Sequence, residues 1–167
     1  MMARPGIATR SLALAALLLL GPQARPTPAA FATAPAADCE AISAWVDYLH
    51  AMVDRQQEIT QREVELSRDR TQSPDELAPA LAAVGAEREA AIAEFLARPP
   101  PPEAQAVYTA YSLAWELDAQ VARAYLQALR SGDERQRGLA DGYTEASGTI
   151  AARADTLLSA LLASCDQ

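Results

Sequence analysis

Three observations predict an all-α chain folded as an up-down-up-down four-helix bundle, stapled by one disulfide and preceded by a signal peptide. Clusters of helix-stopping and helix-starting residues cut the chain beyond residue 38 into four stretches of helical length. Within each stretch apolar residues recur at spacings of three and four, and the strict alternation of a strand is missing. The two cysteines, Cys39 and Cys165, stand at the outer ends of this region.

Residues 1–32 are predicted to be the signal peptide. Arg4 and Arg10 give a basic start, Leu12 to Leu20 an apolar run and Gly21-Pro22 a break, after which Ala30-Phe31-Ala32 offers small residues for cleavage. The run is well short of the roughly 20 apolar residues that span a bilayer, so no stable membrane insertion is expected once it is removed. Residues 33–38 then form a short linker and 39–167 the bundle.

Each helix boundary has a chemical signal. Ser73-Pro74-Asp75-Glu76 is a capping box, with Ser73 as the N-cap and Pro74 at the first helical position. Pro99 to Pro102 cannot continue a helix, and Glu103 opens the next. Ser131-Gly132-Asp133 combines a glycine C-cap with an acidic first turn. The helices therefore run at roughly 39–71, 75–98, 103–131 and 133–164. Connections this short make neighbours antiparallel. The first helix then begins where the fourth ends, which brings Cys39 beside Cys165 and predicts a disulfide between them.

Periodicity assigns the inward faces. Helix one turns in Ile42, Trp45, Val46, Leu49, Met52 and Val53; helix two Leu77, Leu81, Val84, Ala91, Ile92 and Phe95. On helix three the set is Val107, Tyr111, Ala114, Val121, Tyr125 and Leu129, and on helix four Leu139, Tyr143, Ile150, Leu157, Leu158 and Leu161.

Charge narrows the function classes. Residues 1–32 hold Arg4, Arg10 and Arg25 and no acidic residue, so residues 33–167 carry 11 basic against 22 acidic side chains, a formal −11. Such a domain repels nucleic acid and anionic membrane surfaces, and neither is expected as a partner. No lysine occurs, and with the heavy use of alanine this suggests a GC-rich bacterial genome.

The run Pro99-Pro100-Pro101-Pro102-Glu103, followed by a Tyr-rich amphipathic helix and a cysteine near the C-terminus, resembles a broad group of uncharacterised exported bacterial helical proteins. A Pro-Pro-x-Glu helix start and terminal cysteines recur in that group. The resemblance covers the last two helices and implies no activity.

Cofactor and catalytic motifs are sparse. His50 is the one histidine and Met52, two residues on, the one methionine after the signal, so an axial pair for haem on facing helices cannot form; no cofactor is expected. One metal-capable set remains: Asp47, His50 and Asp54, at i, i+3 and i+7, project from one side of helix one as an imidazole and two carboxylates.

Polar residues also fall on inward faces. Arg88 follows Val84 by four and precedes Phe95 by seven, and Asp118 lies seven from both Tyr111 and Tyr125. Helical rise puts them roughly 15 and 22 Å from the proline turn, and side chains on antiparallel helices lean toward each other, so a semi-buried Arg88–Asp118 ion pair is predicted, with Arg153 at similar height. Away from the cysteines the inward positions of helix one become Gln56, Thr60, Glu63 and Ser67, while helix four opens with Arg135, Gly138, Asp141, Gly142 and Gly148. That pole is expected to be the looser one. The whole predicts a periplasmic or secreted non-enzymatic module of the cell envelope that binds or adapts an unknown protein or small ligand. The alternative is a periplasmic sensor for a metal or small ligand.

Overall fold

The computed structural model describes residues 38–68 and 71–166, and the predicted signal peptide lies outside them. Four α-helices follow in order: α1 (Cys39–Arg68), α2 (Pro74–Leu96), α3 (Gln105–Ser131) and α4 (Glu134–Cys165). The described residues contain no strand. Successive helices run antiparallel as a bundle, and a Cys39–Cys165 disulfide with Cα atoms 5.6 Å apart joins the first turn of α1 to the last of α4.

The boundary chemistry agrees with the sequence signals. Ser73 and Glu76 form a reciprocal capping box at α2, and Asp133 caps α4 by accepting from the Arg135 amide. Gly132 closes α3 at φ 69°, a left-handed position that glycine adopts without strain. The boundaries differ by a few residues: α1 runs to Arg68 rather than 71, α2 ends at Leu96 rather than 98, and Pro102–Ala104 form a 3₁₀ turn, so that the α-helical ladder of α3 starts at Gln105 rather than 103. Consecutive prolines lack the amide hydrogens that the first turn would use.

Every inward residue predicted for α2 is buried, and on α1 only Val53 is half-exposed. The later helices differ. On α3, Trp115 is buried against Phe95 and Tyr111, whereas Val121, Tyr125 and Leu129 are half-buried. On α4, Leu139 is exposed and Tyr143, Ile150 and Leu157 are half-buried; Leu158 and Leu161 are buried as expected, and the inward face otherwise consists of Ala140, Ser147 and Ala154, which with Leu161 are spaced by sevens. These small side chains let α4 approach α3 so closely that the Ser147 hydroxyl reaches the Ala114 carbonyl at 3.2 Å. A rule that sends the largest apolar residues inward fails at such a seam, since close approach leaves room only for small ones there.

Backbone contact is therefore most extensive between α3 and α4, less between α2 and α3 and between α1 and α2, and slight between α1 and α4. The stapled pole contains the aromatic centre, where Phe95 meets Tyr108 and Trp115 at centroid distances of 4.9 and 4.6 Å. On the α1/α2 seam Arg55 pairs with Glu94 and Arg62 with Glu87, steps of seven running in opposite directions. Among the described residues no helix is long and apolar enough to cross a membrane. The intramolecular disulfide is compatible with an extracellular or periplasmic location.

Candidate functional site

Along α1 the buried stripe changes character beyond Met52. Gln56 is buried and so is the apolar Ile59, Glu63 is half-buried, and Thr60 and Ser67, expected to face inward, are exposed at the open pole, where they border a cleft. Opposite them on α2 stands Arg88, only 2% exposed although its neighbours Val84, Ala91 and Ile92 are apolar. A guanidinium cannot be deprotonated at this depth and needs a counter-ion.

That counter-ion is Glu63. Arg88 Nη2 donates to Glu63 Oε2 at 2.5 Å, and both terminal nitrogens lie 3.3 Å from Thr60 Oγ1. Asp118, the partner predicted from sequence, is 3.9 Å from Arg88 Nη1, an ion pair without a hydrogen bond. Glu63 on α1 and Asp118 on α3 both lean toward the stapled pole and so toward Arg88, and what separates them is reach, since the aspartate is one methylene shorter. Asp118 Oδ1 instead accepts from the Ser147 hydroxyl at 2.6 Å. The result is a chain of polar contacts through all four helices, Glu63 to Arg88 to Asp118 to Ser147, with its slackest link in the middle.

Thr60, Glu63, Arg88 and Asp118 floor a half-open cleft of about 310 Å³ at the pole away from the disulfide, with Val64, Val121 and Tyr125 among its walls and Asp141 and Thr144 on the α4 side. Burial pushes the Glu63 carboxyl above the usual glutamate range; Arg88 opposes this and the Asp118 charge adds to it. Two buried groups near the floor lack partners: the Arg88 Nε and the side-chain amide of Gln56, one turn from Thr60. In folded proteins buried polar atoms are paired almost without exception, so these two groups mark the floor as unusually polar for its depth.

The other sequence candidates are not brought to this site. Asp47, His50 and Asp54 are all exposed on α1, and among the described residues no three His, Cys, Asp or Glu side chains meet closely enough to hold a metal ion. Three residues spread over two turns on the solvent side of a single helix do not converge on a point unless another element supplies ligands. Arg153 is exposed and does not reach Arg88; it lines a second concavity of about 770 Å³ between α3 and α4, with Pro102, Leu113 and Leu157. Tyr111 donates to Asp155 at 2.5 Å beneath the stapled pole, and burial together with that carboxylate raises its hydroxyl pKa.

Sequence reasoning missed Glu63 as the counter-ion and Ser147 as the support of Asp118. For Glu63 a signal was present, since it was already on the inward stripe of α1 and on the helix adjacent to Arg88. For Ser147 there was none short of recognising the small-residue heptad of α4. Compared with known proteins, the chain matches no family model, no curated protein and no solved structure.

Proposed function

We propose that this protein is an exported, non-catalytic binding module of the bacterial cell envelope, and that its ligand site is the cleft of the unstapled pole. The observation that supports this reading most is the composition of the cleft: a charged floor of Glu63, Arg88 and Asp118 from α1, α2 and α3 beneath apolar walls, which is the usual make-up of a small-molecule site. Both floor carboxylates are engaged, Glu63 by Arg88 and Asp118 by Ser147, an arrangement suited to orienting a ligand more than to moving protons. Export rests on the basic-apolar-small pattern of residues 1–32 and on the disulfide.

An NMR-monitored fragment screen on the full chain tests the reading. Bound fragments are expected to shift the amide signals of Val64, Val121 and Tyr125, and Val121→Trp, which fills the cleft, is expected to abolish those shifts. The adaptor reading gains its own observation from Leu113, exposed beside the second concavity. Fragments clustering at Leu113, Ile150 and Leu157 would replace the first reading with that one.

A further inference from the structure

The charge balance of the cleft selects among ligands. One guanidinium, Arg88, faces three carboxylates, Glu63, Asp118 and Asp141. Arg88 is committed to Glu63 at 2.5 Å, which leaves the other two without full compensation. Asp118 is the better placed: a third of its side chain is exposed, Oδ1 is held by Ser147, and Oδ2 stands 3.9 Å from the nearest guanidinium nitrogen with capacity to accept. An anion in the cleft would meet three like charges and one neutralised arginine. A neutral solute would gain only from the walls.

Resting on the binding-cleft reading, we infer that the ligand is a small organic cation, a protonated amine on a short apolar body, with its ammonium at Asp118 and its body against Val64, Val121 and Tyr125. The carboxylates do not assemble into a metal-binding group, so the negative charge is spread along a cleft with apolar walls. That arrangement favours a cation which itself carries apolar surface over a compact metal ion. A single tyrosine, Tyr125, lines the cleft. Recognition of a quaternary ammonium draws on a cage of several rings, so hydrogen bonding to a carboxylate from a primary or secondary amine fits better. The formal charge of −8 on the whole chain attracts such a ligand at long range and repels its anionic counterparts.

The test uses three probes of similar shape on the full, oxidised chain: phenethylamine, 3-phenylpropionate and 2-phenylethanol, each titrated while the amide and methyl signals of Val64, Val121 and Tyr125 are followed. Phenethylamine is expected to bind at least tenfold more tightly than either of the others, and the preference is expected to shrink at high salt. Asp118→Asn, which leaves the Arg88–Glu63 pair in place, is expected to weaken phenethylamine at least tenfold while binding of 2-phenylethanol is unchanged. Asp141→Asn, at the edge of the cleft, gives a second variant with less bearing on the fold and a smaller expected loss. Equal binding of all three probes at these residues, or a preference for the propionate, would overturn the cation inference and leave the binding cleft standing. No shift at these residues with any probe would overturn both.

Discussion

Removing Arg88 is the most incisive perturbation of this fold. In Arg88→Ala the Glu63 carboxylate, with only 17% of its side chain exposed, loses the group 2.5 Å away, and Asp118 loses its nearest cation. Opposite charges with centres about 4 Å apart interact by about 4 kcal/mol at the effective dielectric typical of proteins. Orphaning one partner of a buried pair costs about 3–5 kcal/mol. Relief is available here, because Glu63 borders the cleft and can take up a proton or turn toward water, so a loss of about 3 kcal/mol is expected. For a domain of this size that corresponds to a fall in melting temperature of roughly 10–15 °C, readily followed by circular dichroism at 222 nm together with urea titration. Arg88→Met combined with Glu63→Leu is expected to recover most of the loss, since a well-packed apolar pair avoids desolvating two charges. A double-mutant cycle separates the carboxylates: the Arg88–Glu63 coupling is expected to exceed the Arg88–Asp118 coupling, in line with 2.5 against 3.9 Å. An Arg88→Ala protein that melts like wild type, or a stronger coupling to Asp118, would refute the reasoning.

Replacing Cys39 and Cys165 by serine removes a link across a sequence separation of 126, and loop-closure entropy puts the expected loss at about 5 kcal/mol; urea titrations of oxidised and serine forms measure it, and near-identical midpoints would contradict it. A Cβ added at Gly138, Gly142 or Gly148 meets nothing within 4 Å, so each glycine-to-alanine change in α4 is expected to stabilise by roughly 0.5–1 kcal/mol and to slow amide exchange in 134–148. Loss of stability in these variants would reveal a packing role for the glycines. Because the Glu63 pKa is raised in the folded state, the folded protein holds a proton between about pH 4.5 and that raised value that the unfolded chain releases. The stability that wild type has relative to Glu63→Gln is therefore fully present below about pH 4.5 and declines as pH rises through the window. A difference that grew with pH would mean that attraction to Arg88 outweighs burial.

Much of the fold was legible because helix boundaries depend on local chemistry. Ser73 and Glu76 cap α2 whatever α2 packs against, and Gly132 terminates α3 through its own backbone freedom. The pairing of Cys39 with Cys165 followed from counting antiparallel helices. What escaped depends on the distance between helices, which local periodicity does not encode. Leu139 looks like a core residue when α4 is considered alone and is exposed because Ala140, Ser147 and Ala154 take the seam with α3. The cleft was legible in part: Gln56, Thr60, Glu63 and Arg88 all emerged as inward polar residues, but which carboxylate would capture Arg88 turned on a difference of about one side-chain bond length.

The unequal seams explain why a cleft opens where it does. Ion pairs bind α1 to α2, through Arg88–Glu63, Arg55–Glu94 and Arg62–Glu87, while Asp118–Ser147 and Tyr111–Asp155 bind α3 to α4. The bundle is thus two cross-linked helix pairs, joined along the α2/α3 seam by the exposed Arg123–Glu89 pair as well as by Arg88–Asp118 and, at one end of the α1/α4 seam, by the disulfide. Where α1 and α4 approach each other least, covalent attachment at the stapled pole limits how far they can separate, and at the other pole separation is opposed mainly by the floor of the cleft. Its slackest link, Arg88 to Asp118, is also the one between the two pairs. A ligand that bridges this link adds contacts to both pairs and should therefore stiffen the unstapled pole, whereas a ligand held by one pair alone would leave the seam as mobile as before.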